Sequence, residues 1–285
     1  MLPLDQMPSE AARHVQVVFT DIDDTLTTDG VLTDRAFAAM WALARAEIRV
    51  VPVTGRPAGW CDHIARMWPV AGVVGENGAL AFSYDRDART MVELHAATAE
   101  ERAERRARLR TLREEILGRI PGAGVASDQP YRLYDLAIDF CEDVPRLPRE
   151  DVETIVALFE AAGATAKVSS IHVNGWFGDF DKLSMMRRFA AERMGLALDR
   201  PRDRLRCVYV GDSPNDGPGF GFFEHSVGVA NVLEFEGRLD PEPRYVTDGR
   251  AGAGFEELAR RLLGARSFLP PEALSLLRSL PPPSE

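Results

Sequence analysis

The stretch "VVFTDIDDTLTTDG", Val17 to Gly30, decides how the rest of the chain is read. Four residues of mostly apolar, strand-like chain run straight into Asp21, Asp23 and Asp24. Turns and helix starts favour Asp and Thr, so a single acid here would mark only the end of a strand. Three carboxylates within four residues repel one another unless a cation or a proton relieves them. Magnesium is a natural partner, because it takes oxygen ligands and often uses one or two carboxylates plus a phosphate.

Size and composition set the frame. A chain of 285 residues can hold two domains, or one domain with a large insertion. Hydrophobic residues make up 45% and charged residues 27%, an ordinary globular balance. The net charge of −10 disfavours non-specific binding to nucleic acid or to an anionic membrane. It leaves room for a small anionic substrate in a locally positive pocket. The three cysteines, Cys61, Cys141 and Cys207, are widely spaced and form no CxxC pair, which argues against a disulfide framework or a zinc site. The first residues, "MLPLDQMPSEAARH", lack the basic and apolar regions of a signal peptide. No apolar run is long enough to span a bilayer. The expectation is a cytoplasmic protein with no membrane and no nucleic-acid partner; the oligomeric state stays open.

Strand-like and helical segments alternate along the chain. "HVQVVFT" and "IRVVPVTG" read as buried strands, and "PAGWCDHIARMW" as a helix with Pro57 at its start. The later segments "DKLSMMRRFAAERMG", "RLRCVYVGD", "HSVGVAN" and "GAGFEELARRLLG" resume the alternation. This pattern predicts an α/β fold, a Rossmann-like parallel sheet with helices on both faces. Between its halves the texture changes. "TAEERAERRARLRTLREEILGRI" interleaves acids and bases, with Leu109, Leu112, Ile116 and Ile120 on one helical stripe. The organisation expected is a core of residues 1–83 and 176–265, an inserted α+β cap domain over 84–175, and a C-terminal tail over 266–285.

In open parallel sheets, ligands bind at the carboxyl ends of the strands. Four polar clusters fall there: Asp21, Asp23, Asp24 and Thr25; Thr54, Gly55 and Arg56; Lys182; and Asp212, Asn215 and Asp216. Each alone has a bland reading, as a turn, a surface lysine or a loop. Together they contain what phosphoryl transfer requires. One carboxylate can attack, and a second can protonate the leaving oxygen. A hydroxyl, a backbone N–H and a lysine can hold the phosphoryl oxygens. Further carboxylates can fix a metal.

"DIDDT", "VTGR", "DK" and "GDSPND", in this order, resemble the four motifs of the haloacid dehalogenase superfamily of phosphohydrolases. "GENGA", Gly75 to Ala79, resembles a signature of the subgroup with a large α/β cap between the second and third motifs. That subgroup includes Cof-like sugar-phosphate phosphatases, sucrose-phosphate and trehalose-phosphate phosphatases, and eukaryotic phosphomannomutase. The resemblance implies Asp21 as nucleophile and Asp23 as general acid/base. It places Thr54 and Lys182 on the phosphate, with Gly55 and Asn215 at the substrate and Arg56 either there or in a structural ion pair. It implies Mg2+ held by Asp21, Asp212 and Asp216, with the main-chain carbonyl of Asp23. One departure is "NDGPGF", with Gly219 where relatives carry an apolar residue such as Met, which predicts looser packing beneath the fourth motif.

The cap is where substrate choice is expected. "ATAKVSSIHVNGWF" reads as one strand or as two short ones; within it Ser170, His172 and Asn174 alternate and share one face if the strand is continuous. The function expected is a magnesium-dependent phosphatase of a small phosphorylated metabolite, a sugar phosphate before others, acting through an aspartyl-phosphate. The motifs do not separate it from a phosphomutase. A non-catalytic binder on the same fold would have no need of Asp23. A dinucleotide-dependent dehydrogenase would need a G-x-G-x-x-G after the first strand, and none is there.

Overall fold

The computed structural model describes residues 1–169 and 171–279. At its centre lies the strand Val17–Thr20, buried at all four positions. Branched and aromatic residues suit such a strand, which is covered on both faces. Arg49–Pro52 pairs with it on one side and Cys207–Gly211 on the other, both parallel. Ser226–Gly228, Tyr245–Val246 and Leu2–Pro3 extend the sheet to six parallel strands. The first long strand starts at Val17 rather than His14, because Ser9–His14 is a helix.

Alternation along the strands sorts the core into two layers. Val18, Val50 and Val208 pack with Leu43, Ile64 and Phe255, from the helices Asp34–Arg45, Ala58–Met67 and Ala251–Gly264. Val17, Phe19, Val51 and Tyr209 face the other way, toward Met186, Phe189 and Phe220, from the helices Lys182–Met194 and Gly217–Phe222. Helices on both faces of a parallel sheet are what the alternating pattern predicted. Past residue 265, Pro271–Ser279 forms a further helix against Asp34–Arg45, with Ala273 fully buried.

The inserted segment starts by continuing the core. Val73–Gly75, Leu80–Asp85 and Thr90–His95 form an antiparallel sheet, joined to the core by a parallel bridge between Val53 and Val74. A separate antiparallel sheet then forms the cap, in the order Thr165–Val168, His172–Trp176, Asp135–Asp139, Gly124–Val125. The helices Ala99–Arg119 and Arg149–Ala161 back it. The charged helix opens with a reciprocal capping box between Thr98 and Glu101, and its Leu109, Leu112, Ile116 and Ile120 stripe is buried against Ile138, Phe159 and Val173. Asp135, Asp139, His172 and Asn174 lie on the opposite face of that sheet from Ile138 and Val173.

The polar cap segment is not one continuous strand. Thr165–Val168 and His172–Trp176 are two strands paired antiparallel. The Ser169 hydroxyl oxygen accepts N–H bonds from Ile171 and His172 and closes the turn. His172 and Asn174 therefore share a face, while Ser170 lies outside the described residues.

The cap core rests on Phe159, which is fully buried; a Cβ at Gly175 would fall 2.1 Å from its ring. Phe159→Ala is expected to destabilise the protein by about 3–5 kcal/mol. Urea denaturation followed by circular dichroism checks this, and a loss below about 1 kcal/mol would show that the site collapses to fill the cavity.

Candidate active site

Asp21 prolongs the central strand by one step, its N–H donating to Val210 O at 2.9 Å. The chain then turns sharply. The N–H groups of Leu26 and Thr27 both converge on Ile22 O, and Asp24 takes a left-handed conformation with φ 56°. Asp tolerates that region better than most residues. The Asp24 N–H donates to Thr27 Oγ1, so Asp24 and Thr27 shape the turn. The result is one acid, Asp21, buried at 6% exposure, and a second, Asp23, with its side chain 44% exposed.

Lys182 comes from the other face of the sheet. Asp181 caps its helix by accepting the Ser184 N–H at 2.7 Å. This seats the Lys182 Nζ 2.7 Å from Asp21 Oδ1 and 3.5 Å from Asp216 Oδ1. The backbone approach is very close: a Cβ on Gly78, which has φ +98°, would fall 2.0 Å from Asp181 O. Gly78, inside "GENG", is thus required for Lys182 to reach Asp21.

The fourth cluster follows Cys207–Gly211. Asp212 is 8% exposed, and its Oδ1 accepts from Thr25 Oγ1 at 3.3 Å. Asp216 is almost wholly buried. Its Oδ2 accepts the N–H groups of Asp212 and Ser213, and its Oδ1 accepts the Tyr209 hydroxyl at 2.6 Å. A Cβ on Gly211 would fall 2.3 Å from Asp216 Oδ2, which explains the glycine before Asp212. Asn215 is exposed and accepts from Ser213 Oγ at 3.2 Å. Packing beneath this motif is not loosened by Gly219. The Tyr209 ring fills the space, and a Cβ on Gly219 would fall 2.5 Å from it.

Crowding shows in the acidities. Burial pushes Asp21 up to about 7, with Asp216 and Asp23 adding to it and Lys182 opposing. Burial, then Asp21 and Asp216, push Asp212 up to about 8. Burial lowers the Lys182 ammonium, but Asp21 and Asp216 outweigh it and hold it above the ordinary lysine range. Among the described residues no three His, Cys, Asp or Glu side chains form a metal cage. Asp21 and Asp212 nevertheless form a pair of under-compensated oxygen donors. That donor set fits magnesium, which completes its shell with water, carbonyl and phosphate oxygens.

The second motif sits opposite. Thr54 is fully buried and its Oγ1 accepts the Arg56 N–H at 3.0 Å. Gly55 lies under the Asn77 side chain, where a Cβ would fall 3.1 Å from Oδ1. Arg56 grips Asp23 through Nη2 at 2.7 Å and through Nε, and stacks on Trp60 at 4.6 Å. The geometry therefore places Arg56 on Asp23.

Two residues that bind the cap to this motif were not singled out from sequence. Glu76 is buried, and its carboxylate accepts N–H bonds from Ala58 in the core and from Leu133 and Tyr134 in the cap, at 2.6–2.9 Å. Arg132 donates to Gly55 O at 3.2 Å while held by Asp128 and Asp135. Asn174 donates to Asp135 Oδ2 at 3.0 Å, and His172 Nε2 lies 2.8 Å from Glu142 Oε2. Asn174 thus has a hydrogen-bond partner within the cap, and the His172 ring lies beside a cap carboxylate. Glu76 was visible only as part of the "GENGA" signature, with no role of its own.

The core sheet with its inserted cap is the haloacid dehalogenase fold. Residues 18–104 match the family model of haloacid dehalogenase-like hydrolases, which bears out the resemblance read from the motifs. No curated protein matches the sequence. Solved structures do. A protein of Thermoplasma acidophilum is 16% identical with a TM-score of 0.67, over 87% of this chain and 98% of its own. A haloacid dehalogenase-like hydrolase of Bacteroides thetaiotaomicron is 14% identical with a TM-score of 0.62, over 87% and 99%. The sucrose-phosphatase of Synechocystis, solved with sucrose and phosphate, is 13% identical with a TM-score of 0.58, over 88% and 98%. At these identities the likeness is one of fold. No helix among the described residues is long and apolar enough to cross a membrane.

Gly78→Ala is expected to force Asp181 and Lys182 away from Asp21 and to lower turnover at least about tenfold, the cost of misplacing a group at the site. Steady-state kinetics on the folded variant check this, and unchanged kinetics would show that the two backbones separate freely.

Proposed function

We propose that the protein is a magnesium-dependent phosphatase that hydrolyses a small phosphorylated metabolite through an aspartyl-phosphate on Asp21. The observation that carries this reading is the pairing of a buried Asp21, 2.7 Å from Lys182, with an exposed carboxylate two residues on. One acid faces the phosphoryl group and the other faces the leaving group.

In this reading Asp21 attacks phosphorus while the bond to the leaving oxygen breaks, and Asp23 gives that oxygen its proton. Water then attacks the aspartyl-phosphate, Asp23 takes the proton back, and phosphate leaves with Asp21 restored. Lys182 and the Thr54–Arg56 turn hold the phosphoryl oxygens. Arg56 fixes Asp23 in place, while Asn215 stands at the rim. Asp21, Asp212 and the main-chain carbonyl of Asp23 would hold magnesium, with Asp216 behind them. The metal, when bound, offsets the repulsion between carboxylate and phosphoryl group.

The substrate class proposed is a sugar phosphate. The cap sheet turns His172 and Asn174 to one face, and polar groups there suit a hydroxylated leaving group better than an apolar one. A sucrose-phosphatase and a trehalose-6-phosphate phosphatase-related protein share the fold, which is consistent with this choice.

A panel of phosphorylated metabolites assayed with magnesium tests the reading. Asp21→Asn should stay folded and lose activity by roughly 10³-fold or more, as loss of a nucleophile does. Near wild-type turnover by the folded variant would remove Asp21 from the role, and a preference for phosphoprotein or nucleotide would overturn the substrate class.

Magnesium binding carries its own pH signature. With pKa values raised to about 7 and about 8, Asp21 and Asp212 hold protons at pH 6 that the ion must displace. Affinity is therefore expected to weaken by at least about tenfold from pH 8 to pH 6. Calorimetric titration at the two values checks this; equal affinity would mean that both carboxylates are already ionised at pH 6.

A further inference from the structure

We propose that Tyr209 is a positioning residue of this site: its hydroxyl occupies Asp216, so that Lys182 is left to Asp21. The proposal rests on the phosphatase reading for its kinetic test, but its structural test stands without it.

Asp216 Oδ2 is satisfied by two backbone N–H groups, at 3.0 and 3.3 Å. Oδ1 has two suitors: the Tyr209 hydroxyl at 2.6 Å and the Lys182 ammonium at 3.5 Å. The shorter contact belongs to the tyrosine. Lys182 lies closer to Asp21, at 2.7 Å. A buried carboxylate oxygen needs a donor. With the hydroxyl gone, the nearest other donor in the site is the Lys182 ammonium. A move of Nζ toward Asp216 takes it away from the carboxylate that attacks and from the place where phosphoryl oxygens bind.

The ring is there by arrangement with a second residue. Tyr209 lies on the strand Cys207–Gly211, three residues before Asp212, and faces the layer beneath the fourth motif. It stacks on Phe223 at 5.9 Å and meets Phe220 edge-on at 5.8 Å. Its edge lies where a side chain at position 219 would be. An apolar side chain at 219 would pack this space with no polar group. Here the strand supplies the bulk instead, and the exchange brings a hydroxyl to Asp216. Tyr209 and Gly219 are therefore one device.

Tyr209→Phe keeps the ring and deletes the donor. We expect kcat to fall about tenfold, the effect of one lost positioning hydrogen bond, with the melting temperature little changed. The double variant Tyr209→Val, Gly219→Met restores apolar packing without the hydroxyl, and should be as slow as Tyr209→Phe. If the tyrosine only fills space, both variants will turn over at the wild-type rate, and the proposal falls. A crystal structure of Tyr209→Phe decides the matter even if the enzyme acts on no phosphate ester tested. Lys182 Nζ displaced from Asp21 toward Asp216 Oδ1 supports the proposal. Nζ still at its wild-type distance from Asp21 overturns it.

Discussion

One ammonium holds this centre together. Asp21, Asp212 and Asp216 meet at the end of a buried sheet, and Lys182 contacts two of them directly. Like charges in a poorly solvated place are tolerated only with a compensating cation or proton. That constraint explains features scattered along the chain. Gly78 lets the start of the Lys182 helix come close enough, and Gly211 clears room for the Asp216 carboxylate. Backbone N–H groups and Tyr209 share the remaining charge on Asp216. What remains under-compensated is the face formed by Asp21 and Asp212, and a cation is welcome there.

The parallel sheet makes the convergence possible. Val17–Thr20 and Cys207–Gly211 are neighbours, so acids that follow them meet although nearly two hundred residues separate them. Lys182 enters from the layer that contains Phe19 and Phe189. The helix after the second motif enters from the opposite layer. Asp21 follows directly on a strand and Lys182 opens a helix, while Asp23, Thr54–Arg56 and Asp212 lie in the turns that leave the sheet.

Much of this was legible in the chain. The acids after an apolar run, "VTGR", the lysine at a helix start and "GDSPND" each sit at the carboxyl end of a strand or beside one, so local pattern and global fold agree. The cap helix was legible for the same reason, through its apolar stripe and Thr98 cap. What stayed hidden depends on contacts between distant segments. Ser169 closes a turn through its own hydroxyl, and the run from Lys167 to Trp176 carries strand-forming residues on both sides of it. Asn174 looks free in the sequence but donates to Asp135, and His172 lies beside Glu142. Gly219 read as a missing side chain, because the ring that replaces it comes from ten residues earlier on another element.

Glu76 has a mechanical consequence. Its carboxylate joins the start of the helix Ala58–Met67 to Leu133 and Tyr134, at the threshold of the strand Asp135–Asp139. Any swing of the cap that spares these bonds must pivot there. The strand Thr165–Val168 lies two strands away across the cap sheet, about 10 Å from the pivot strand. A given rotation therefore moves that outer edge most, while the corner above Gly55 and Arg56 hardly moves. Such a cap behaves as a door hung on one side, with its doorway beneath Lys167 and Val168.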